Sequence, residues 1–303
     1  MPSCVVHNYF AKKVLEGLNP EIKEIISKHE QPYLVGSQGP DLMFYLRYEQ
    51  KPLNELGMIQ HQSFNAYEVF KASGGYARGL EDDTVSAFLF GQLCHYAIDK
   101  NIHPYVYHRE KDLPGYYTKG ARKYIHVVFE SALDYICIRD FIKGNTRTFK
   151  AYRNLDISPE ARKEIAKYYS EILAPLFNMK MSVEQGEKMI RLMRKFMKIC
   201  DDTTGIKYII IRGIEKLLGK PRNVSAFIRP RRERPDEDWM NISKKPYPKS
   251  RNSTELANYT VEEMAKNAYN DALALISNLY DYIKSDKALE KKLYLNNYAG
   301  DIK

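Results

Sequence analysis

The sequence lacks the features of membrane-spanning, exported and disulfide-stapled proteins. Its 303 residues contain no apolar run of the roughly 18 residues that a transmembrane helix requires. The N-terminal segment MPSCVVHNYFAKK has no basic start followed by a long apolar core, so we expect no signal peptide and a cytoplasmic protein. The four cysteines are scattered without zinc-finger spacing, and we expect them to be free thiols.

Several metal-binding motifs of helical enzymes are missing as well. Neither the zincin pattern His-Glu-x-x-His nor the Glu-x-x-His pair of di-iron carboxylate bundles occurs. The His-Asp dipeptide of HD-type phosphohydrolases is also absent. Any metal site in this chain must therefore be built on another pattern.

The overall composition is that of an ordinary globular protein, with 44% hydrophobic and 28% charged residues. The net charge of +9 favours anionic partners such as phosphate esters, acidic lipid surfaces or nucleic acid.

Helical patterns dominate the chain. Helix starts are predicted at Asn19-Pro20, Asp82 or Asp83, Ser158-Pro159, and the capping box of Thr260 with Glu263, whose helix should end near Lys284. Another helix should run roughly from 120 to 141, and the β-branched segment 208–214 is also predicted to be helical. We therefore predict one all-α domain over residues 1–303.

One stretch should interrupt the helices. Residues 220–251 hold ten Lys or Arg, four Asp or Glu, and five prolines. Because proline removes a backbone donor and clashes with the preceding turn, this stretch is predicted to be an irregular excursion.

Two runs of histidine and acid have helical spacing. His95, Asp99 and His103 follow one another every four residues, and His126 precedes Glu130 by four. Residues four apart share a helix face, so each run directs its side chains to one place. Burying such carboxylates without a counter-charge would be costly, and neutral imidazoles with carboxylates are zinc ligands. We therefore favour a metal site over a purely structural network.

The ordered set of motifs resembles the zinc-dependent phospholipase C family, which shares its fold with S1/P1-type nucleases. The matching features are an N-terminal histidine, a Gly-x-x-Gly-Pro-Asp loop, an isolated histidine and the two helical runs. Here they are His7, the loop GSQGPD ending at Asp41, His61, the run from His95 to His103, and His126 with Glu130.

The resemblance implies up to three Zn²⁺ ions in a multi-helix fold. By position, the first ion would be bound by Asp41, His61, His95 and Asp99, and the second by His103, His126 and Glu130. The third would be bound by His7, by Asp99 as a bridging carboxylate, and by the amine and carbonyl of Pro2 after removal of Met1. If Met1 stays, Cys4 or water would substitute.

One spacing departs from the studied secreted phospholipases, which place five residues between the aspartate and the next histidine. Here three residues separate Asp99 from His103. Since this spacing keeps His103 on the helix face, we favour it as the ligand, with His108 as the alternative.

The resemblance also implies the chemistry. Two zinc ions about 3.5–4 Å apart would activate a bridging hydroxide that attacks phosphorus. Asp41 would orient or deprotonate this nucleophile, or serve as a ligand only. From its position one turn after Glu130, Asp134 is expected either to orient a histidine or to be a surface acid.

The substrate is predicted to be a phospholipid or another phosphodiester, with nucleic acid as the alternative of an S1/P1-like nuclease or phosphatase. An alternative function of a different class is that of a non-catalytic, metal-stabilised binding domain. The amphipathic segment 187–199 is expected either to pack in a helical core or to make peripheral contact with an anionic membrane.

Overall fold

A computed structural model describes residues 4–63, 65–112, 122–220, 224–232 and 237–302. Within these ranges the chain is mainly α-helical, as predicted. The α-helices are α1 Cys4–Gly17, α2 Pro20–Lys28, α3 Glu30–Gly36, α4 Leu56–Ser63, α5 Ala66–Arg78, α6 Thr84–Asp112, α7 Arg122–Ile136, α8 Pro159–Phe177, α9 Val183–Cys200, α10 Ile206–Leu217 and α11 Val261–Lys284. Short 3-10 helices span Gly39–Tyr48, Leu53–Glu55, Ala151–Leu155, Ser225–Phe227 and Lys291–Tyr294.

The predicted helix starts are confirmed at their caps. Asn19 accepts a hydrogen bond from the amide of Ile22, and Ser158 accepts one from Ala161. Thr260 and Glu263 form the capping box of α11, which ends at Lys284. The helix expected over 120–141 is shorter in its described part, because α7 ends at Ile136 and a π-helical turn follows over Cys137–Phe141.

Helix α6 is the centre of the fold. Its first half is buried all round, as expected for the nearly continuous apolar run before His95. It packs against α1, α3, α5, α7, α8 and α11, so residues on every side of α6 face another element. A polar group on this helix can therefore meet side chains from several neighbours.

The basic excursion folds back onto the helices. In its described part it contains the 3-10 turn Ser225–Phe227 and the strand β1 Tyr247–Pro248, which pairs antiparallel with β2 Leu256–Ala257. Trp239 is buried against the ring of Phe129 on α7, with ring centroids 5.2 Å apart. The excursion thus covers the outer side of α7.

Helix α9 belongs to the core. Its apolar residues Met189, Ile190, Met193 and Met197 are buried, and the helix packs against α8. Of the two expectations for segment 187–199, the structure shows core packing, because these apolar residues are buried. Contact of this segment with a membrane stays a prediction, which this packing does not support.

Candidate metal centre

Five elements bring the predicted ligands together in the interior. His7 lies on α1, Asp41 on the 3-10 helix Gly39–Tyr48, His61 on α4, the residues His95, Asp99 and His103 on α6, and His126 with Glu130 on α7. All are buried except His126, which is partly buried. Pro2, the remaining predicted ligand, lies outside the described residues.

The loop before Asp41 is shaped by glycine. Gly39 has a φ of +51°, and a Cβ there would lie 2.5 Å from the ring of His95. At Gly36 a Cβ would lie 2.1 Å from the carbonyl oxygen of Phe88 on α6. Because only glycine allows both approaches, the loop can lie directly on α6 and place Asp41 beside the histidines.

Asp99 is the centre of the arrangement. Its Oδ2 lies 2.9 Å from His95 Nε2, 3.8 Å from His61 Nε2 and 3.5 Å from His103 Nδ1. Its Oδ1 lies 3.6 Å from His7 Nε2. A single carboxylate therefore faces imidazoles from three helices.

Two smaller contacts surround this centre. Asp41 Oδ1 lies 3.2 Å from His61 Nε2. On the other side, Glu130 Oε1 lies 3.0 Å from His126 Nε2 and 3.6 Å from His103 Nε2. The polar atoms thus form one continuous cluster between α1, α4, α6 and α7.

The histidine rings are fixed from behind by main-chain oxygens. The Nδ1 atoms lie 2.8 Å, 3.0 Å and 2.7 Å from carbonyl oxygens in the pairs His61–Gly57, His95–Ser37 and His103–Tyr298. A carbonyl only accepts, so each Nδ1 carries a proton, and the Nε2 turned toward the carboxylates is the nitrogen left to bind a metal. This is the ring orientation that a metal-bound histidine requires.

His126 is oriented by a carboxylate instead. Its Nδ1 lies 2.5 Å from Glu110 Oε1, a residue near the end of α6. A histidine held between two carboxylates, with Glu130 at its other nitrogen, matches the carboxylate–histidine arrangement common behind bound metals.

Electrostatics show how strongly these groups depend on one another. Burial would lower the pKa of His126, but the charge of Glu130 and the hydrogen bond to Glu110 raise it to about 10. Burial lowers the pKa of His7 to about 3, assisted by neighbouring His95. Burial would raise the pKa of Asp99, yet the charges of His103 and His95 hold it well below its usual range.

Comparison with known proteins gives one match. The model of the zinc-dependent phospholipase C family matches residues 6–181, which is more than half of the chain and includes every described ligand candidate. The chain belongs to the zinc-dependent phospholipase C family. Searches of curated proteins and of solved structures each found no match.

The residues present fit the zinc ions on which the family depends. Three groups place their ligand atoms within 4.8 Å of one another, and they are His7 with His95 and Asp99, Asp41 with His61 and His95, and His103 with His126 and Glu130. His7 Nδ1 and His103 Nε2 are buried and make no hydrogen bond within the described part of the chain. A cavity of about 20 Å³ is lined by His7, Asp99, His103 and Glu130 among others. Imidazole and carboxylate around a small buried space are a suitable donor set for Zn²⁺.

The two alternative ligands fall elsewhere. The group that contains His126 and Glu130 of α7 also includes His103 of α6. His108, the alternative to His103, lies on α6 outside the three groups. Cys4 is buried with its thiol 3.9 Å from the carbonyl oxygen of Ala151, and it also lies outside the groups.

Two residues behind the candidate ligands, Glu110 and Tyr298, were missed from the sequence, and a third was anticipated. Glu110 follows His103 by seven residues, so its helical spacing could have revealed it. Tyr298 acts through its carbonyl oxygen from the far end of the chain, which no side-chain pattern signals. Asp134 was expected to orient a histidine, which stays a prediction. The structure shows that its Oδ1 accepts the amides of Val5 and Val6 and so positions the start of α1, which carries His7.

Proposed function

We propose that this protein is a zinc-dependent phosphodiester hydrolase of the phospholipase C type. The observation that carries the proposal is the set of imidazoles whose Nδ1 atoms are fixed by carbonyl oxygens while Nε2 faces buried carboxylates, in a member of a zinc-dependent family. A core that needed these groups only for folding would not require so many Nε2 atoms turned toward carboxylates around one small cavity.

We infer three zinc positions from the ligand groups. Asp41, His61 and His95 would bind one ion, with Asp99 as a further ligand, and His103, His126 and Glu130 would bind a second. His7 and Asp99 would bind a third, completed by the Pro2 amine and carbonyl. The contacts of Asp99 with imidazoles on both sides support its role as the bridging carboxylate.

When bound, zinc supplies Lewis-acid charge to a phosphoryl oxygen and lowers the pKa of coordinated water. The protein's own residues do the rest. Asp41 is buried and close to His61, so it can orient the attacking nucleophile or accept its proton. Glu110 orients the His126 ring. Asp99 lies within 3.8 Å of four imidazole rings and can therefore contact all of them.

The substrate we propose is a phospholipid at a bilayer surface, because the family is one of phospholipases C. Peripheral contact with an anionic membrane is part of this proposal. Among the described residues, no helix is long and apolar enough to cross a membrane. The cytoplasmic location stays a prediction from the sequence. We also infer that residues 1–303 form one domain, since a single core cluster includes both Cys4 and Tyr298.

The test is to count zinc per chain and to assay phosphatidylcholine, single-stranded DNA and a chromogenic phosphodiester side by side. Zinc-loaded protein that cleaves phosphatidylcholine, and stops when a chelator is added, would support the proposal. Cleavage of DNA alone would indicate an S1/P1-like nuclease. Bound zinc without turnover of any substrate would indicate a non-catalytic metal-stabilised domain.

A matched pair of variants tests the ligand assignment. His126→Ala should lose zinc from the second position and abolish turnover. His29→Ala is the control, because His29 lies outside the cluster and its Nδ1 is 3.2 Å from the Thr84 hydroxyl. Full activity in His126→Ala would refute the assignment.

A further inference from the structure

Helix α10 exposes its apolar side. Its large aliphatic residues are more than half exposed, namely Ile206 at 57%, Ile209 at 69%, Ile210 at 55%, Ile214 at 52% and Leu217 at 87%, and Leu218 just beyond the helix is at 62%. With 3.6 residues per turn, Ile206, Ile210, Ile214 and Leu217 lie along one side of the helix. A contiguous apolar face of this kind marks an interaction surface rather than scattered surface residues.

The opposite side of α10 is held by polar contacts. Glu215 is buried, and its Oε1 accepts the amides of Val224 at 2.8 Å and Ser225 at 3.1 Å. Its Oε2 accepts the Ser225 hydroxyl at 2.6 Å. At the start of the helix, Asp202 accepts the amides of Gly205 and Tyr208. The helix is therefore anchored through hydrogen bonds to a carboxylate at each end, and its isoleucines are turned outward.

The exposed charges beside this face are positive. Lys207 and Lys216 are exposed and lie, by helical position, on opposite edges of the apolar face. The Lys207 ammonium also donates to main-chain carbonyl oxygens before α10, among them that of Asp201 at 2.7 Å. Arg231 and Arg232 are exposed, and Arg231 donates to the carbonyl oxygen of Thr204 just before α10. The acid within α10, Glu215, is buried and 3.6 Å from Arg212, so it does not offset this positive edge.

An apolar stripe edged by lysine and arginine complements an anionic lipid surface, in which acyl chains lie beneath negative headgroups. A protein partner would be matched equally well by the apolar side chains, but the uniform sign of the flanking charges favours the lipid. At 12 residues, α10 is too short to span a bilayer and suits a position in the plane of the interface.

We propose that the outward face of α10 docks the protein on an anionic phospholipid bilayer. The inference rests on the proposed function only in making that bilayer the surface that carries the substrate. The docking itself is a property of the helix, and it requires neither zinc nor turnover.

The test is co-sedimentation of the full chain with vesicles of phosphatidylcholine alone or mixed equally with phosphatidylglycerol, in the presence of a chelator. The wild-type protein should bind the anionic vesicles. A triple variant, Ile206→Ser, Ile210→Ser and Leu217→Ser, should lower the partition coefficient at least about tenfold, since the lost apolar burial drives interfacial binding. Lys216→Glu should weaken binding to anionic vesicles and leave binding to neutral vesicles unchanged.

The control variant is Ile242→Ser, because Ile242 is a 67% exposed aliphatic residue that belongs to the basic excursion and not to α10. It should bind vesicles like the wild type. Wild-type binding by the triple variant would overturn the proposal. So would a wild-type protein that ignores vesicles but forms a dimer that the triple variant cannot form, because a second copy would then cover the face.

Activity separates this inference from the proposed function. The triple variant should cleave monomeric short-chain phosphatidylcholine like the wild type and lose activity only on vesicles. If the wild type cleaves no lipid but still sediments through α10, the proposed function fails and the docking surface stands. If it cleaves vesicles equally well with and without the α10 residues, the docking surface fails and the enzyme stands.

Discussion

Replacing Glu110 should weaken zinc binding without removing a zinc ligand. The Glu110 carboxylate lies 2.5 Å from His126 Nδ1, and both side chains are partly exposed, at 27% and 19%. Partners that orient a metal-bound histidine typically contribute about 10–100-fold to metal affinity, which is about 1.4–2.8 kcal/mol. Glu110→Gln keeps a neutral acceptor, and solvent partly screens the charge of the pair. The loss of zinc affinity in this variant should therefore lie near the lower limit. Glu110→Ala removes this acceptor for His126 Nδ1, so its loss of zinc affinity should lie near the upper limit.

The assay is competition for zinc between the protein and a chromophoric chelator at constant pH. The control is Glu24→Gln, which removes a carboxylate 2.7 Å from Lys28 in a pair that is about two-thirds exposed on α2. Thermal unfolding of each zinc-free variant shows whether the fold is intact. Wild-type zinc affinity in both Glu110 variants would refute the positioning role. A loss in Glu110→Ala but not in Glu110→Gln would show that the hydrogen bond matters and the charge does not.

Three further predictions concern the loop, the protons and the metal. Gly39→Ala should destabilise the protein by roughly 1–3 kcal/mol, because Gly39 has a positive φ and a Cβ there would meet the His95 ring. Urea unfolding measures this, and an unchanged free energy of unfolding would contradict it. Zinc affinity should rise with pH across about pH 6–9, because the raised pKa of His126, about 10 in the zinc-free protein, means that zinc must displace a proton. Proton release into weak buffer on zinc addition measures this, and pH-independent affinity without release would refute it. Chelation should lower the unfolding temperature, since Asp99 and Glu130 lose their counter-charge, and an unchanged temperature in calorimetry would exclude a bound ion.

The helical spacing of the ligands was readable because it depends on local geometry alone. His95, Asp99 and His103 share a face of α6 whatever surrounds it, and the caps at Asn19 and Thr260 act within one turn. The contacts behind the ligands depend instead on distant segments meeting in space. The carbonyl of Tyr298 reaches His103 across 195 residues of sequence separation, and a backbone oxygen has no residue type to recognise.

Amphipathic periodicity likewise shows that a helix has an apolar side but not where that side points. Both α9 and α10 have one. In α9 it is buried against α8, whereas in α10 it faces outward. The difference comes from what the polar side of each helix contacts. Glu215 on α10 finds buried donors at Ser225, and this fixes the helix with its polar side inward. Only the tertiary structure shows which side of each helix is left uncovered.

The cluster also explains why the site needs cations. Burial opposes the charge on Asp99, and the charges of His103 and His95 hold its pKa well below the usual range, so this carboxylate is ionised in the interior. A histidine binds a metal through an unprotonated nitrogen, so a cation bound beside Asp99 would supply the counter-charge that the carboxylate needs. At the other end of the cluster, Glu130 lies beside His126, and the pKa of His126 is raised to about 10 in the zinc-free protein. If zinc binds at both ends, as we propose, each end gains a counter-charge of its own.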